Sequence, residues 1–360
     1  MYILGIESTA HTFGVGIIDS NGNILANKKA LFTTESGGMT PRIVADHHIE
    51  KFDSIIKDAL NEAKIKINDI KLISFSQSPG IGNCLKIGAI IARSVSKLLN
   101  CPLIGINHCI AHLEIGKLCG FDENNNLSKD PILLYASGAN TQIIGFSGEK
   151  YRIFGETLDI GIGNFIDTFA RYINIGFPGG PKIELLAKKS KKFIDLGYLV
   201  KGMDINFSGI LTKLKNLYDL GHSKYDLAFS LQETSFSMLI EVAERALAHT
   251  GKNELLLGGG VACNKRLKEM AIKMCNDRGA KCYFVDNSLN VDNGVMIAWA
   301  GLLKFLGELN LKFNNIEELK NINFEILIKK YNNSNMKSDY IWSKVNPYLR
   351  TDEVEIKYLK

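Results

Sequence analysis

Two histidines stand four residues apart in the stretch INHCIAH, as His108 and His112. Four residues slightly exceed one helical turn, so on a helix both imidazoles project from the same face and are placed to share a cation. Zinc peptidases space two ligands this way but put a glutamate base between them. Here the intervening residues are Cys109, Ile110 and Ala111, so a metal site at this position is not that of a peptidase. The spacing alone leaves a second reading open, two satisfied side chains on a helix. The adjacent pair His47–His48 is a poorer ligand set, because neighbouring residues on a helix point in different directions.

Glycine-rich turns supply the other chemistry. SPGIGNCLKIG (78–88), LDIGIGNFIDTFAR (158–171), GFPGGPKIE (176–184) and LLLGGGVACNKRL (255–267) each follow an apolar, strand-like run. Glycine lets backbone amides approach a phosphate, and a strand–Gly–helix junction aims a helix N-terminus at an anion. Four such turns point to a nucleotide in a cleft. None is a Walker loop or a good dinucleotide fingerprint.

The elements that must position these groups alternate. GNCLKIGAIIARSVSKLLN reads as a helix, PLIGIN as a strand that delivers the histidines into the helix after it, and KYDLAFSLQETSFSMLIEVAERALAHTG as a long helix before the strand ELLLGGG. A repeat organises them. LGIESTAHTFGVGIID from Leu4 lines up without gaps on LLYASGANTQIIGFSG from Leu133, with Ser8 on Ser137, Ala10 on Ala139 and Thr12 on Thr141. Each copy is a strand, a small hydroxyl-rich turn and a second strand, the pattern of a hairpin. One domain length separates the copies, which predicts a duplicated α/β fold. The polar FDENNNLSKD (121–130) is the seam. The expected parts are a first half over 1–130, a second over 131–312 whose last helix packs back on the first, and an Asn- and Lys-rich tail over 313–360 that wraps the surface or reaches toward a partner.

The composition sets outer bounds. The 360 residues are 46% hydrophobic and 22% charged, with a formal charge of +5 that permits a polyanionic partner without demanding one. Seven cysteines, an odd number with no C-x-x-C pair, read as reduced thiols. No apolar run reaches membrane-spanning length and no leader pattern precedes the first strand. These features predict a soluble, cytoplasmic protein with no membrane partner.

The linear motifs resemble the universal tRNA threonylcarbamoyl transferases, and within them the catalytic subunit of the archaeal and eukaryotic KEOPS complex. GIESTAHTFGVGI, GGMTPRIVADHH, NHCIAHLE, YASGANTQ, GNFIDTFAR, GFPGGPKIE, GMDINFSGILT, GGGVACNKRL, DNGVMIA and LRTDEVEI carry the likeness, in order, over nearly the whole chain. The resemblance implies a fold of duplicated actin/Hsp70-like (ribonuclease-H-like) domains with a nucleotide and metal cleft between them. It implies one divalent metal per subunit, iron(II) or else zinc, held by His108, His112, Asp292 and Tyr135, with His108, His112 and Asp292 as the catalytic set. It also implies an adenine nucleotide, threonylcarbamoyl-AMP or ATP, bound by Tyr135, Ala136, Ser137, Gly138, Ala139, Asp167, Gly180, Glu184 and Asn264. The alternative readings are a helix-surface carboxylate for Asp167 and a helix N-cap for Asn264. One departure is Ala139, which stands where many relatives have a second glycine.

The reaction so implied moves a threonylcarbamoyl group from its adenylate to N6 of the adenosine next to the anticodon, in tRNAs that read ANN codons. The implied partners are tRNA, a small kinase-like ATPase, a dimerising subunit and a binder of the tRNA tail. No kinase-like sequence follows TDEVEI, so the ATPase is expected as a separate chain. Two other classes stand beside this reading: an ATP-dependent small-molecule phosphotransferase of the same superfold, to which the histidine pair is superfluous, and a non-catalytic scaffold, which the intact ligand set disfavours.

Overall fold

The structure, a computed structural model, describes residues 1–34, 40–312, 318–319, 322–332 and 344–359. Its first series of elements is β1 (Tyr2–Glu7), β2 (Thr12–Asp19), β3 (Ile24–Leu31), α1 (Pro41–Ala63), β4 (Ile70–Ser78), α2 (Gly82–Leu99), β5 (Leu103–Asn107) and α3 (His108–Cys119). A second series begins with β6 (Ile132–Ala136), β7 (Thr141–Ser147), β8 (Lys150–Glu156), α4 (Ile162–Tyr172) and α5 (Gly180–Ala187). It continues through the short strands β9 (Val200–Lys201) and β10 (Asp204–Ile205) to α6 (Ser208–Asp219), α7 (Lys224–Thr250), β11 (Glu254–Gly258), α8 (Lys265–Arg278) and β12 (Lys281–Phe284). The short α9 (Asn287–Asn290), α10 (Gly294–Glu308) and α11 (Phe324–Asn332) follow.

Two five-stranded mixed sheets result, in the orders β3-β2-β1-β4-β5 and β12-β11-β6-β7-β8. In each, an antiparallel meander of three strands is extended by two parallel ones. The repeated hairpins of the sequence are therefore β1–β2 and β6–β7, and they occupy matching places in the two sheets.

Strand alternation decides what each sheet face carries. Along β6, Leu133 and Tyr135 join one apolar cluster, and Ile132, Leu134 and Ala136 another. Along β1, Ile3 faces the first of these clusters while Leu4 and Ile6 pack with α1 and α2. The shared cluster is a central layer between the sheets, built from α3 and α10. Helices α4 to α8 cover the outer face of the second sheet. Helix α10 is apolar nearly all round and buried along almost its whole length, which suits a helix enclosed on every side. Gly294 begins it, where a Cβ would stand 2.0 Å from the amide nitrogen of Gly16, so only glycine permits this approach of helix to strand.

Of the tail expected from residue 313, positions 313–317, 320–321, 333–343 and 360 lie outside the described residues. Residues 344–359 pack across both sheets, and Thr351, Ile356 and Tyr358 among them are buried. Asn346 N donates to the Gln77 carbonyl at 3.0 Å, Gly80 N to that of Pro347 at 3.2 Å, and Arg350 reaches Glu156 of the other sheet at 2.9 Å. None of the described helices is long and apolar enough to cross a membrane.

Candidate metal centre and substrate cleft

Strand β5 runs without a loop into α3, and Asn107 makes the junction. Its side chain accepts from Cys109 N at 3.0 Å and Ile110 N at 3.3 Å, satisfying two of the amides a helix start leaves open. His108 is the first helical residue, and His112 lies one turn on with its ring centroid 4.7 Å away. Asp292 reaches them from the second series. Its Oδ1 is 3.2 Å from His108 Nε2 and 3.4 Å from His112 Nε2. The loop that brings it is fixed by Asn293, which is fully buried, donates to the carbonyls of Leu289 and Val291 at 2.8 Å and caps α10 through Met296 N at 3.0 Å.

One ligand atom from each of His108, His112 and Asp292 lies within 4.8 Å of the others, so the three can hold one metal ion. Tyr135 stands beside them on the same central layer, its ring 5.0 Å from that of His112. Two imidazoles with a carboxylate and a phenol suit a divalent transition metal, and an incomplete protein shell leaves room for a substrate oxygen.

A residue that the spacing did not disclose completes the arrangement. Glu7 ends β1 on the same face as Ile3, and alternation turns it into the central layer. It is fully buried, and its Oε2 lies 2.9 Å from His108 Nδ1. Its Oε1 accepts from Thr9 N at 2.6 Å and Thr9 Oγ1 at 2.5 Å. A carboxylate behind a ligating imidazole fixes the tautomer and turns Nε2 to the metal.

The charges follow from this packing. Burial disfavours an imidazolium at His108, but Glu7 and Asp292 on either side outweigh it and hold the ring well above its ordinary value. Burial pushes His112 down, with the charge of His108 adding to it. Burial opposes ionisation of Asp292 too, yet the charge and hydrogen bonds of His108 and the bond from His112 keep it well below the usual carboxylate range. Burial pushes Tyr135 well up, so its phenol carries a proton that a cation must displace. It also pushes the Cys109 thiol up, which removes that group as a thiolate nucleophile.

The glycine turn of 158–171 meets a part of the chain itself. In the turn 137–140, Ser137 Oγ donates to the Asn140 carbonyl at 2.8 Å, which closes it. The carbonyls of Ser137 and Gly138 accept from Gly163 N at 3.0 Å and Asn164 N at 2.8 Å, and Thr141 Oγ1 takes Ile162 N at 2.8 Å. The first amides of α4 are thus spent on the second hairpin. The glycines of 158–171 permit that contact, since a Cβ on Gly163 would sit 2.6 Å from Gly138 Cα.

The remaining residues are placed individually. Asp167, on α4, accepts from Gly179 N at 2.7 Å, and burial raises its carboxyl, so it is no freely solvated surface group. Glu184 lies on α5 and pairs with Lys188 at 3.0 Å. A Cβ at Gly180 would meet nothing within 4 Å, so that position opens onto free space. Asn264 caps α8 through Arg266 N and Leu267 N and donates to Gln232 Oε1 at 2.7 Å, so the N-cap reading of this residue holds. Among the rival histidines, His48 is buried beside Phe13, its ring 5.5 Å from the phenyl.

A model of the tRNA N6-adenosine threonylcarbamoyltransferases, TsaD, matches residues 22–299. The chain belongs to the TsaD family. With that family it is a transferase of tRNA modification. It is 51% identical over 319 residues to the tRNA N6-adenosine threonylcarbamoyltransferase of Thermococcus sibiricus, covering 88% of this chain and 95% of that one. It is 46% identical over 360 residues to a probable bifunctional tRNA threonylcarbamoyladenosine biosynthesis protein of Methanocaldococcus jannaschii. That match takes in 100% of this chain but only 61% of its longer relative. Among solved structures, full-length HypF in its phosphate- and nucleotide-bound form superposes with a TM-score of 0.57 at 15% identity, over 85% of this chain and 55% of that one. This likeness bears on the fold, the α/β plan of the actin/Hsp70-like ATPases, which the two sheets of the TsaD-family chain share.

Proposed function

We propose that the chain transfers the threonylcarbamoyl group of threonylcarbamoyl-adenylate to N6 of the adenosine beside the anticodon, in tRNAs that read ANN codons. The observation that carries the reading is the convergence of His108, His112 and Asp292 on one point, with Tyr135 alongside, in a chain of this family. The exocyclic amine attacks the carbamoyl carbon, the bond from that carbon to the phosphate oxygen breaks with its electron pair leaving on AMP, and one proton of the amine passes to solvent. His108, His112, Asp292 and Tyr135 would hold iron(II), with zinc as the other candidate, and the bound cation supplies a Lewis acid against the developing oxyanion.

The chain's own groups bind and orient. Asp167 and Glu184 take ribose hydroxyls, the open backbone at Gly180 lets the nucleotide approach, and Asn264, fixed by Gln232, forms the wall at the base or sugar. The turn Ala136, Ser137, Gly138, Ala139 faces the phosphate and acyl end. No activated thiolate stands at the centre, so the acceleration comes from positioning and electrostatic stabilisation rather than a covalent intermediate. The acceptor tRNA is shared with KEOPS-type subunits: a separate small kinase-like ATPase, a dimerising subunit and a tRNA-tail binder.

The test is to incubate the metal-loaded chain and those partners with threonylcarbamoyl-adenylate and tRNA, then digest the tRNA and analyse its nucleosides by mass. Threonylcarbamoyladenosine in tRNAs reading ANN codons, and not in others, is the expected product.

A further inference from the structure

A second concavity, of about 470 Å³, lies between α7 and the segment after α5, and the reaction above leaves it unused. That volume falls within the usual range of small-ligand pockets. The segment over 190–199 has no regular structure, yet it is pinned. Ser190 Oγ donates to Asp226 Oδ1 at 2.6 Å, Ile194 N to Ser230 Oγ at 2.8 Å, and the Tyr198 hydroxyl to Glu241. The wall is formed before any ligand arrives.

Three independent features of this cavity point to one kind of occupant. Phe193 and Tyr198 line it while 55% and 52% exposed, large rings left partly in water. Thr234 lines its floor, 5% exposed, and its Oγ1 has no hydrogen-bond partner among the described residues. Such a group gains from a ligand that brings it a donor or an acceptor. At the rim, the run AKKSKKF leaves Lys189, Lys191 and Lys192 exposed, with Lys191 in the lining itself. The acidic groups beside them are engaged: Glu233 is held by Arg266 at 2.6 and 2.8 Å, and Asp195 Oδ1 accepts from Gly197 N at 2.9 Å.

We propose that this cavity holds an unpaired nucleotide of the tRNA loop, its base stacked on Phe193 and Tyr198, its edge bonded to Thr234 Oγ1 and its phosphates on Lys191 and Lys192. The inference rests on the transferase reading above. Stacking surfaces joined to a cationic rim are how single-stranded nucleic acid is gripped, because every base offers a π-face.

The experiment uses the metal-loaded full chain and a fluorescent anticodon stem-loop RNA, with affinity measured across a salt series. Lys191→Ala/Lys192→Ala should reduce the slope of log affinity against log salt by about 1.4, two single-strand phosphate contacts. Phe193→Ala should weaken binding about 5- to 150-fold. Thr234→Val keeps the shape and should weaken binding about fivefold with no loss of folding stability. A 5-bromouracil in the loop should photo-crosslink to Phe193 or Tyr198. Unchanged affinity in Phe193→Ala and Thr234→Val overturns the pocket, even where the lysine pair lowers the slope. Loss of a protein subunit's binding in these variants, with RNA affinity intact, overturns it as well. In either case a wild type that still transfers leaves the transferase reading standing. A wild type that neither binds the RNA nor transfers sinks both.

Discussion

Glu7 Oε2 lies 2.9 Å from His108 Nδ1, and His108 Nε2 lies 3.2 Å from Asp292 Oδ1, so one imidazole is held between two carboxylates from distant parts of the chain. The ring has no freedom to present its other nitrogen. Glu7→Gln retains the volume and can still accept through its carbonyl oxygen, but it removes the charge. We expect metal affinity to fall about 10- to 100-fold in this variant, the usual effect of losing a carboxylate behind a ligating histidine. Competition against a chelator of known affinity measures it, with circular dichroism of the metal-free protein as the control for folding.

The same pair makes metal binding pH-dependent. Glu7 and Asp292 hold the metal-free His108 ring above its ordinary value, against the effect of burial, so a cation has to displace a proton from it. Affinity should therefore rise with pH, about tenfold per unit for each proton displaced, from His108 and, where its phenol ligates, from Tyr135. Titrations at pH 6 and pH 7 in buffers of different ionisation enthalpy should report at least one proton released per ion. Equal affinities at the two values contradict the arrangement.

His48 gives the opposite kind of dependence. Burial lowers its imidazole to about 4. An unfolded histidine titrates near 6.5, so between those values the unfolded chain holds a proton that the folded chain does not. Stability contributed by the neutral ring is complete above pH 6.5 and is lost as pH falls toward 4, by about 3 kcal/mol in full and about 2 kcal/mol at pH 5. Denaturant midpoints at pH 7 and pH 5 should show this slope in the wild type and a shallower one in His48→Gln.

Glu114, on the metal-bearing helix, is buried and accepts from the hydroxyls of Tyr151 and, at 3.0 Å, Tyr358 near the chain's end. Tyr358→Phe leaves the carboxylate one donor short inside the core. The expected cost is about 1–3 kcal/mol in chemical denaturation, with little change in the metal content of the folded fraction.

Much of this was legible in the residues, and the exceptions have physical causes. The alignment of Leu4 with Leu133 anticipated two hairpins in matching sheets because hairpin turns leave a local mark. The shared face of His108 and His112 was legible too, because a spacing of four is a local mark on a helix, although spacing alone did not choose between ligands and satisfied side chains. Glu7 was not. A glutamate after the apolar run YILGI reads as the polar end of a strand, and only the packing of β1 against α3, about a hundred residues on, makes it a partner of His108. The glycine turns misled in one respect. Glycine allows a close approach but does not say of what, and at Gly163 the approaching group is the second hairpin rather than a phosphate. Asn264 shows how one residue type serves two readings, since an asparagine before a helix is both a good cap and a polar group at a cleft wall.

The most direct test compares threonylcarbamoyl transfer to a tRNA reading ANN codons by the wild type and by His108→Ala/His112→Ala, each folded and with its partners. Transfer by the wild type is expected, and in the double variant a loss of bound metal together with a fall of transfer to background. Undiminished transfer by a metal-free double variant would contradict this, leaving the histidine pair a structural role only.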